Sequence, residues 1–507
     1  MHCIRIPVVV RCLLTAALTL AASSVAARHG EPPYSLAHPA KAGVDVPVED
    51  ARAIDATQRR LDADRSVRER GARTKRLQTA EATTVSITPD RNGRWDTLDD
   101  GSRLWRMRVR ASGATDLRLA FTHYALPRGA TLYVIGADDY YQGPYTAADA
   151  TDATFHAPAV PGDTATIELR VPAGTANDAT RLELGNVGAG FRDLFNRKQT
   201  LETGPGTSGA CNVNVVCPLG QPYTNEIRAV GQYEYQAADD GQYYICTGTL
   251  VTDAPRSRKN YFLTAAHCIS VASEAQSIVV YWNYQSTQCN VLAAPAGGFL
   301  ADDQHGGTLR ATRADVDFTL IELGGTPDPS WNLYYAGWDA SGAAPSATIG
   351  IHHPSGDVKK ITAGPATTTT DSCIVDVATT PATHWQTGPY SQGTTEGGSS
   401  GSGLFVAVGG GLDRRVIGTL SGGLAACSDF SPGEPNNEND CYGKLSVAWN
   451  GSSASSRLHD WLDPAGTGAT SASGIGQNDP TPASTLGHST HAIPDLLLHL
   501  PHTGAER

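Results

Sequence analysis

The chain has 507 residues, too many for one ordinary domain, and its 53 glycines and 30 prolines point to a β-rich, turn-rich protein rather than a helical one. A formal net charge of -12 and a pI near 5.6 argue against nucleic acid as the main partner.

The first segment reads as a secretory signal. Arg5 and Arg11 precede an apolar stretch from Leu13 to Ala22, and small residues follow at Ser24, Val25, Ala26 and Ala27, which predicts a signal peptide over 1–27 and an exported mature protein. The apolar stretch is too short to span a bilayer, and no later one reaches that length, so no membrane partner is expected. Cys3 and Cys12 leave with this segment. The remaining cysteines are Cys211, Cys217, Cys246, Cys268, Cys289, Cys373, Cys427 and Cys441. An even set confined to one stretch suggests four disulfides in an oxidising compartment. A zinc site is disfavoured, because no Cys-x-x-Cys pair occurs.

Residues 28–84 read as a charged leader. Eight basic residues fall between Arg59 and Arg76, interleaved with Asp62, Asp64 and Glu69, and apolar residues are sparse, which fits a solvated helix or a disordered arm. From 85 to 190 the pattern changes to strands. Trp105–Arg110 and Ile167–Val171 alternate apolar with polar, and Leu117–Phe121 and Thr131–Ile135 are further candidates. This predicts a small, cysteine-free, β-sandwich-like domain. A carbohydrate-binding module fits that pattern, but a position between a signal peptide and a disulfide-rich segment favours a propeptide over 28–205. Glu202–Gly209 is a Gly, Ser and Thr-rich linker.

Residues 206–466 carry every mature cysteine. Strand candidates are Cys246–Val251, Tyr261–Thr264, Ser277–Trp282, Phe318–Leu323, Ala347–Ile351 and Val416–Leu420, separated by glycine-rich turns, as in a β-barrel or sandwich. One helix is expected at the end, capped by Ser452 or Ser453, with Leu458, Trp461 and Leu462 on its apolar face and Asp463-Pro464 stopping it. Residues 467–507 read as a flexible tail.

Within this segment, three residues in order suggest a reaction. Thr264-Ala-Ala-His267-Cys268 puts an imidazole at the end of an apolar strand, Asp317 opens Asp-Phe-Thr-Leu-Ile-Glu-Leu, and Ser400 sits in the turn Gly397-Gly-Ser-Ser-Gly-Ser402. An alkyl hydroxyl is a poor nucleophile at neutral pH; it needs a histidine to take its proton and a carboxylate to hold that histidine in the right tautomer. The order His, Asp, Ser distinguishes the chymotrypsin-like arrangement from other serine hydrolases. Asp315 is the rival acid, and Ser399 and Ser402 are the rival nucleophiles.

The histidine motif resembles that of chymotrypsin-like serine proteases, and the stretch 206–466 is most similar to the bacterial lysyl endopeptidase family within that clan. The resemblance is carried by Cys211-Asn-Val-Asn-Val-Val-Cys217-Pro, Val279-Val-Tyr-Trp-Asn-Tyr284, Asp317-Phe-Thr-Leu-Ile-Glu-Leu, Ala336-Gly-Trp-Asp339, Ile351-His-His-Pro354 and Gly398-Ser-Ser-Gly401. It implies an all-β, chymotrypsin-like double β-barrel with a C-terminal helix, and a catalytic triad of His267, Asp317 and Ser400 in the cleft between barrels. The backbone N–H groups of Gly398 and Ser400 would form the oxyanion hole. It also implies disulfides Cys211–Cys427, Cys217–Cys289 and Cys246–Cys268, leaving Cys373 and Cys441 to pair with each other.

Specificity follows from the same resemblance. Trypsin carries its pocket acid six residues before the nucleophile, where this chain has Thr394. Lysyl endopeptidases use an acid in an Asp-x-Tyr-Gly segment, matched here by Asp440-Cys-Tyr-Gly443. The family's pocket histidine falls at Ser421, beside Gly422, and its tryptophan near Cys373. Cleavage after basic residues is therefore expected, with Lys against Arg open. Arg197 and Lys198 then form a processing point ahead of the linker. Ser399 stands where chymotrypsin and trypsin carry the aspartate that pairs with a new N-terminus, so latency is expected to come from the N-terminal β domain covering the cleft. Adjacent His352 and His353 point to opposite faces of a strand and read as structural rather than as metal ligands. No metal or cofactor is implied. The expected partners of this monomer are protein and peptide substrates and its own propeptide, as inhibitor or chaperone. The alternatives are a catalytically silent secreted binding protein on the same scaffold, or an endopeptidase of different preference, such as an acid-preferring one; Asp440 argues against the latter.

Overall fold

In the N-terminal half, alternation sorts side chains onto two facing sheets. Arg103–Arg110 pairs antiparallel with Thr164–Val171 in a register that sets Trp105 opposite Leu169, Met107 opposite Ile167 and Val109 opposite Ala165, all buried. Across from them, Leu77–Ile87, Arg181–Gly190, Asp116–Ala125 and Phe155–Pro161 form the second layer, which contributes Leu119, Phe121, Leu184 and Val187 to the same core. The expected sandwich is therefore present. The structure, a computed structural model, describes residues 31–39, 45–69, 74–195, 208–289, 300, 302–371, 382–407, 414–431 and 433–480. The expected signal segment, Arg197 and Lys198 with most of the linker, Cys373 and the tail beyond 480 lie outside the described residues.

The leader is more ordered than a disordered arm. Ala56–Glu69 is a helix, tied to the sandwich by Arg59–Glu81 (2.6 Å) and Asp64–Arg192 (2.7 Å). The strand Leu77–Ile87 runs across the expected leader boundary at 84. It pairs on one edge with Arg181–Gly190 and on the other with Tyr243–Val251, which belongs to the cysteine-rich half. One continuous sheet thus crosses from the N-terminal domain into the domain that carries the site.

The cysteine-rich half has two barrel-like β units. The first runs, in hydrogen-bonded order, through Asp302–His305, Val279–Trp282, Val230–Gln236, Tyr243–Val251, Tyr261–Thr264, Phe318–Leu323 and Gly307–Arg313. The second includes Lys360–Pro365, Ala347–His352, Gly403–Val406, Val416–Gly423, Asp440–Lys444 and His384–Thr387. An apolar cluster including Val251, Leu263, Phe318, Trp338, Ile351 and Phe405 joins the two. Cys211–Cys427, Cys217–Cys289 and Cys246–Cys268 are bonded as the resemblance implied. Cys441 is buried and disulfide-bonded.

The expected closing helix is broken into a 3-10 turn, Ala454–Ser456, and a single α-turn, His459–Leu462. The Ser456 hydroxyl accepts the Ser453 N–H and so competes with helix propagation, and Arg457 between the two turns is extended. Leu458 and Leu462 are nevertheless buried as predicted. The described part of the tail is not free either: Ser471–Ala472 pairs with Trp338–Asp339, and Ile475–Gly476 with Tyr334–Tyr335. No helix among the described residues is long and apolar enough to cross a membrane.

Candidate active site

His267 lies in the turn that follows Tyr261–Thr264, and the adjacent Cys268 is bridged to Cys246 on the neighbouring strand. Asp317 immediately precedes Phe318–Leu323, which pairs with Tyr261–Thr264 in a register that sets Thr264 opposite Thr319. The imidazole and carboxylate are therefore brought together by two neighbouring strand ends. Asp317 has φ +56, a left-handed conformation that Asp tolerates better than most residues. Its Oδ1 accepts the His267 backbone N–H at 2.9 Å, and its Oδ2 lies 2.8 Å from Nδ1. Burial pushes the Asp317 carboxyl up, but the imidazole, the two bonds to His267 and the Ser421 hydroxyl outweigh it and hold the group below the usual carboxylate range. Asp315 is not on the strand; it lies in the preceding turn and pairs with Arg313 at 2.6 Å.

Ser400 comes from the second unit, in the glycine-rich turn before Gly403–Val406. Gly398 there has φ +95, and a Cβ on it would stand 2.7 Å from the His353 carbonyl oxygen, so the turn requires glycine. Ser400 Oγ is 2.7 Å from His267 Nε2. The two rivals point elsewhere. Ser399 Oγ bonds His352 Nδ1 at 2.9 Å, and the buried Ser402 hydroxyl has no partner among the described residues. With Nδ1–H donated to Asp317, Nε2 is left as acceptor for the serine hydroxyl. His352 and His353 are wholly buried; His353 Nδ1 bonds the Asp357 carbonyl oxygen and its ring stacks on Tyr284. Burial, helped by nearby Lys75 and Lys360, drops His352 to about 3, so it is a neutral framework residue.

Beside Ser400 is a buried pocket with Asp440 at its end. Asp440 Oδ2 accepts from Tyr390 Oη at 3.0 Å and Thr395 Oγ1 at 2.5 Å. The pocket is filled by the side chain of Lys75, from the N-terminal domain. Its ammonium lies 2.8 Å from Asp440 Oδ1, 2.9 Å from the Ala425 carbonyl oxygen, 3.3 Å from that of Thr395, and against Thr395 Oγ1. The Lys75 carbonyl oxygen accepts the Gly398 N–H at 2.5 Å, and Thr74 forms an antiparallel bridge with Gly422.

Of the substrate-binding residues expected from sequence, Asp440 meets the Lys75 ammonium and Gly422 bridges Thr74. Thr394 is buried and its hydroxyl has no partner among the described residues, while the adjacent Thr395 makes the contact to Asp440. Along an extended segment neighbouring side chains alternate, so a one-residue offset reverses the facing side. Ser421 bonds His384 Nε2 at 3.0 Å and backs the Asp317 carboxylate. Sequence reasoning missed Tyr390, Thr395 and Lys75. A signal existed for the last: it is the one lysine among the eight basic residues between Arg59 and Arg76.

Comparison with known proteins gives two family matches, to "Lysyl endopeptidase N-terminal domain" over residues 47–188 and to "Lysyl endopeptidase, C-terminal domain" over 205–443. A curated lysyl endopeptidase from Pseudomonas aeruginosa is 31% identical over 365 residues, covering 69% of this chain and 74% of the relative. Among solved structures, the active form of the Rv3671c protease from M. tuberculosis is similar over 48% of this chain and 87% of its own, at 14% identity and TM-score 0.30. An HtrA-type protease with a tripeptide covers 45% of this chain and 60% of its own, at 16% identity and TM-score 0.29.

Proposed function

Because the chain belongs to the lysyl endopeptidase family and is a serine endopeptidase, we propose that it is a secreted enzyme that hydrolyses peptide bonds after lysine, with Ser400, His267 and Asp317 as its triad. The observation that carries this reading is the run of two short bonds, 2.8 Å from Asp317 to His267 and 2.7 Å from His267 to Ser400, ending beside a pocket with a buried acid. His267 Nε2 takes the Ser400 proton as Oγ attacks the substrate carbonyl carbon, then gives it to the leaving amine. Asp317 holds Nδ1–H and stabilises the imidazolium that forms between those steps. The N–H groups of Gly398 and Ser400 stabilise the oxyanion. Water, deprotonated by the same imidazole, hydrolyses the acyl-enzyme.

The pocket supports lysine over arginine. Its acceptors, Asp440, Thr395 and the Ala425 carbonyl, converge on one compact ammonium within 3.3 Å, whereas a guanidinium is planar, wider and needs acceptors spread in its own plane. A charge-assisted bond to Asp440 offsets the desolvation of the substrate cation. The disulfides and the predicted signal peptide support export.

The test is cleavage of peptides ending in Lys, Arg and Glu by the secreted protein and by Ser400→Ala. Cleavage after Lys should fall by roughly 10⁴–10⁶ in the variant. Equal rates in both would show that Ser400 is not the nucleophile; cleavage after Glu would overturn the role of Asp440. A folded, processed protein that cuts none of the peptides would be a silent scaffold.

A further inference from the structure

The pocket occupant is held as a substrate would be held, and this deepens the reading just given, on which it rests. Four contacts fall within residues 74–77. Thr74 bridges Gly422 in antiparallel fashion, the Lys75 side chain meets Asp440, the Lys75 carbonyl oxygen takes the Gly398 N–H, and Leu77 begins a strand paired with Tyr243–Val251. Arg76, between them, is set over the Tyr244 ring and paired with Asp239 at 3.0 Å. Ser400 is wholly buried in this arrangement. A basic residue trapped in an acidic pocket would explain the first ammonium contact alone. It would not explain why the carbonyl of the same residue sits on a proposed oxyanion donor while Thr74 before it bridges Gly422 and the chain after it runs on as a strand from Leu77.

We propose that Lys75–Arg76 is the reactive bond of a built-in inhibitor, cut by Ser400 in its own chain and resealed because neither product can leave. In the forward direction the Ser400 Oγ–C bond to Lys75 forms and the Lys75–Arg76 C–N bond breaks. His267 carries the serine proton to the Arg76 amine. Water then releases a Lys75 carboxylate and restores the Ser400 hydroxyl, or the Arg76 amine attacks the acyl carbon and reforms the peptide bond.

Resealing competes with water because the fold tethers both ends. On the downstream side, Leu77–Ile87 is hydrogen-bonded along both edges, to Tyr243–Val251 and to Arg181–Gly190. On the upstream side, Val48–Asp50 pairs with Arg103–Arg110, Arg52 and Arg59 both reach Glu81 on the downstream strand, and Asp64 pairs with Arg192. The amine therefore stays beside the acyl carbon at a high effective concentration. The pocket stays filled whether the bond is whole or cut.

Three full-length proteins test this: the natural chain, Ser400→Ala and Lys75→Gln. Each is assayed under native conditions on a lysyl peptide amide, then denatured and mapped by mass spectrometry. In the natural chain, a new amino terminus should appear at Arg76 on pieces that co-elute natively, and it should be absent from Ser400→Ala. Full-length Lys75→Gln should cleave the added peptide roughly tenfold faster or more, because a tethered occupant at millimolar effective concentration no longer competes. A Lys75–Arg76 bond that stays whole through prolonged incubation, or an unchanged rate in folded Lys75→Gln, overturns the proposal. Cleavage of the added peptide in those same samples keeps the lysine-specific reading standing. Folded Lys75→Gln that cleaves no lysyl peptide, before or after processing of the linker, removes both.

Discussion

The N-terminal domain makes two kinds of contact, one within itself and one with the catalytic half. Between its own sheets the contact is apolar, built from Trp105, Met107, Ile167, Leu169, Phe121 and Leu184. Towards the catalytic half, apolar packing of Leu194 and Phe195 on Val279, Tyr281 and Tyr284 is joined by buried charged and polar contacts. Arg118 is 2% exposed and pairs with Glu234 at 2.6 Å and with Asp116 of its own strand; Lys75 meets Asp440; Tyr281 Oη accepts the Ala159 N–H at 3.0 Å. An apolar core that opens exposes surface that water disfavours. A charged contact that opens returns each ion to water, where it is stable alone. The first contact is suited to permanence and the charged part of the second to opening.

The largest effect expected from breaking the charged contact is at Asp440, because in the proposed function that carboxylate serves both the tethered occupant and the substrate. In Asp440→Asn the ammonium enters the pocket with no counter-charge. Truncating one member of a buried pair costs about 3–5 kcal/mol, so kcat/KM for a lysyl peptide should fall by roughly 10²–10⁴. Neutral esters that leave the pocket empty should lose far less, and that ratio is the measurement. An equal loss on both substrates would place the damage in the fold rather than the pocket.

The parts of this arrangement legible in the sequence were the local ones. His267 and Ser400 sit in motifs whose chemistry is written in adjacent residues, and Asp317 opens a strand whose apolar pattern is plain. Strands such as Tyr261–Thr264 and Phe318–Leu323 were bounded as predicted because both are short, mostly apolar runs ended by turn signals. The contacts not legible were those made across long separations. Lys75 and Asp440 are 365 residues apart, and a lysine in a basic run reads locally as solvated. The same applies to Leu77–Ile87. Its weak alternation, with Thr79, Glu81 and Thr84 among its residues, suits an edge of a domain, and what makes it central is a strand from the other domain.

The next effect in size is at Arg118. Replacing it with Met leaves Asp116 and Glu234 buried without their cation. Burial already pushes the Glu234 carboxyl above its usual range, against the pull of Arg118, so the neighbouring guanidinium is what keeps the desolvated acid tolerable. In the Ser400→Ala background, which prevents self-cleavage, Arg118→Met should weaken the association of the two domains by about 3 kcal/mol. Leu169→Ala, a core substitution of similar size, should instead unfold the N-terminal domain itself. Denaturant titration with separate probes for each domain distinguishes them. Coincident transitions in both variants would mean that the two contacts are energetically one, contrary to the contrast drawn above.

The smallest effect sharpens the contrast by asking what a buried charge does without an acid. Lys359 and Lys360 are adjacent and wholly buried. Lys360 pairs with Asp357 at 3.2 Å, whereas Lys359 donates to the Ile227 carbonyl oxygen at 2.7 Å and has no acidic partner among the described residues. Burial lowers the Lys359 amine from 10.5 to about 7, with His353 beside it likewise held neutral. For a lysine lowered in this way, folding is penalised most where both states are charged, below about 7. Between about 7 and 10.5 the folded protein has shed a proton that the unfolded chain still binds, so stability rises with pH across that window. Lys359→Met should therefore stabilise the catalytic half by about 1–2 kcal/mol at pH 6, with the gain shrinking towards pH 10. Thermal unfolding of both proteins at the two pH values measures it. A gain that is the same at both, or a loss at pH 6, would mean that the Ile227 carbonyl alone suffices to hold the charged amine, and that a buried cation in this fold needs no acid.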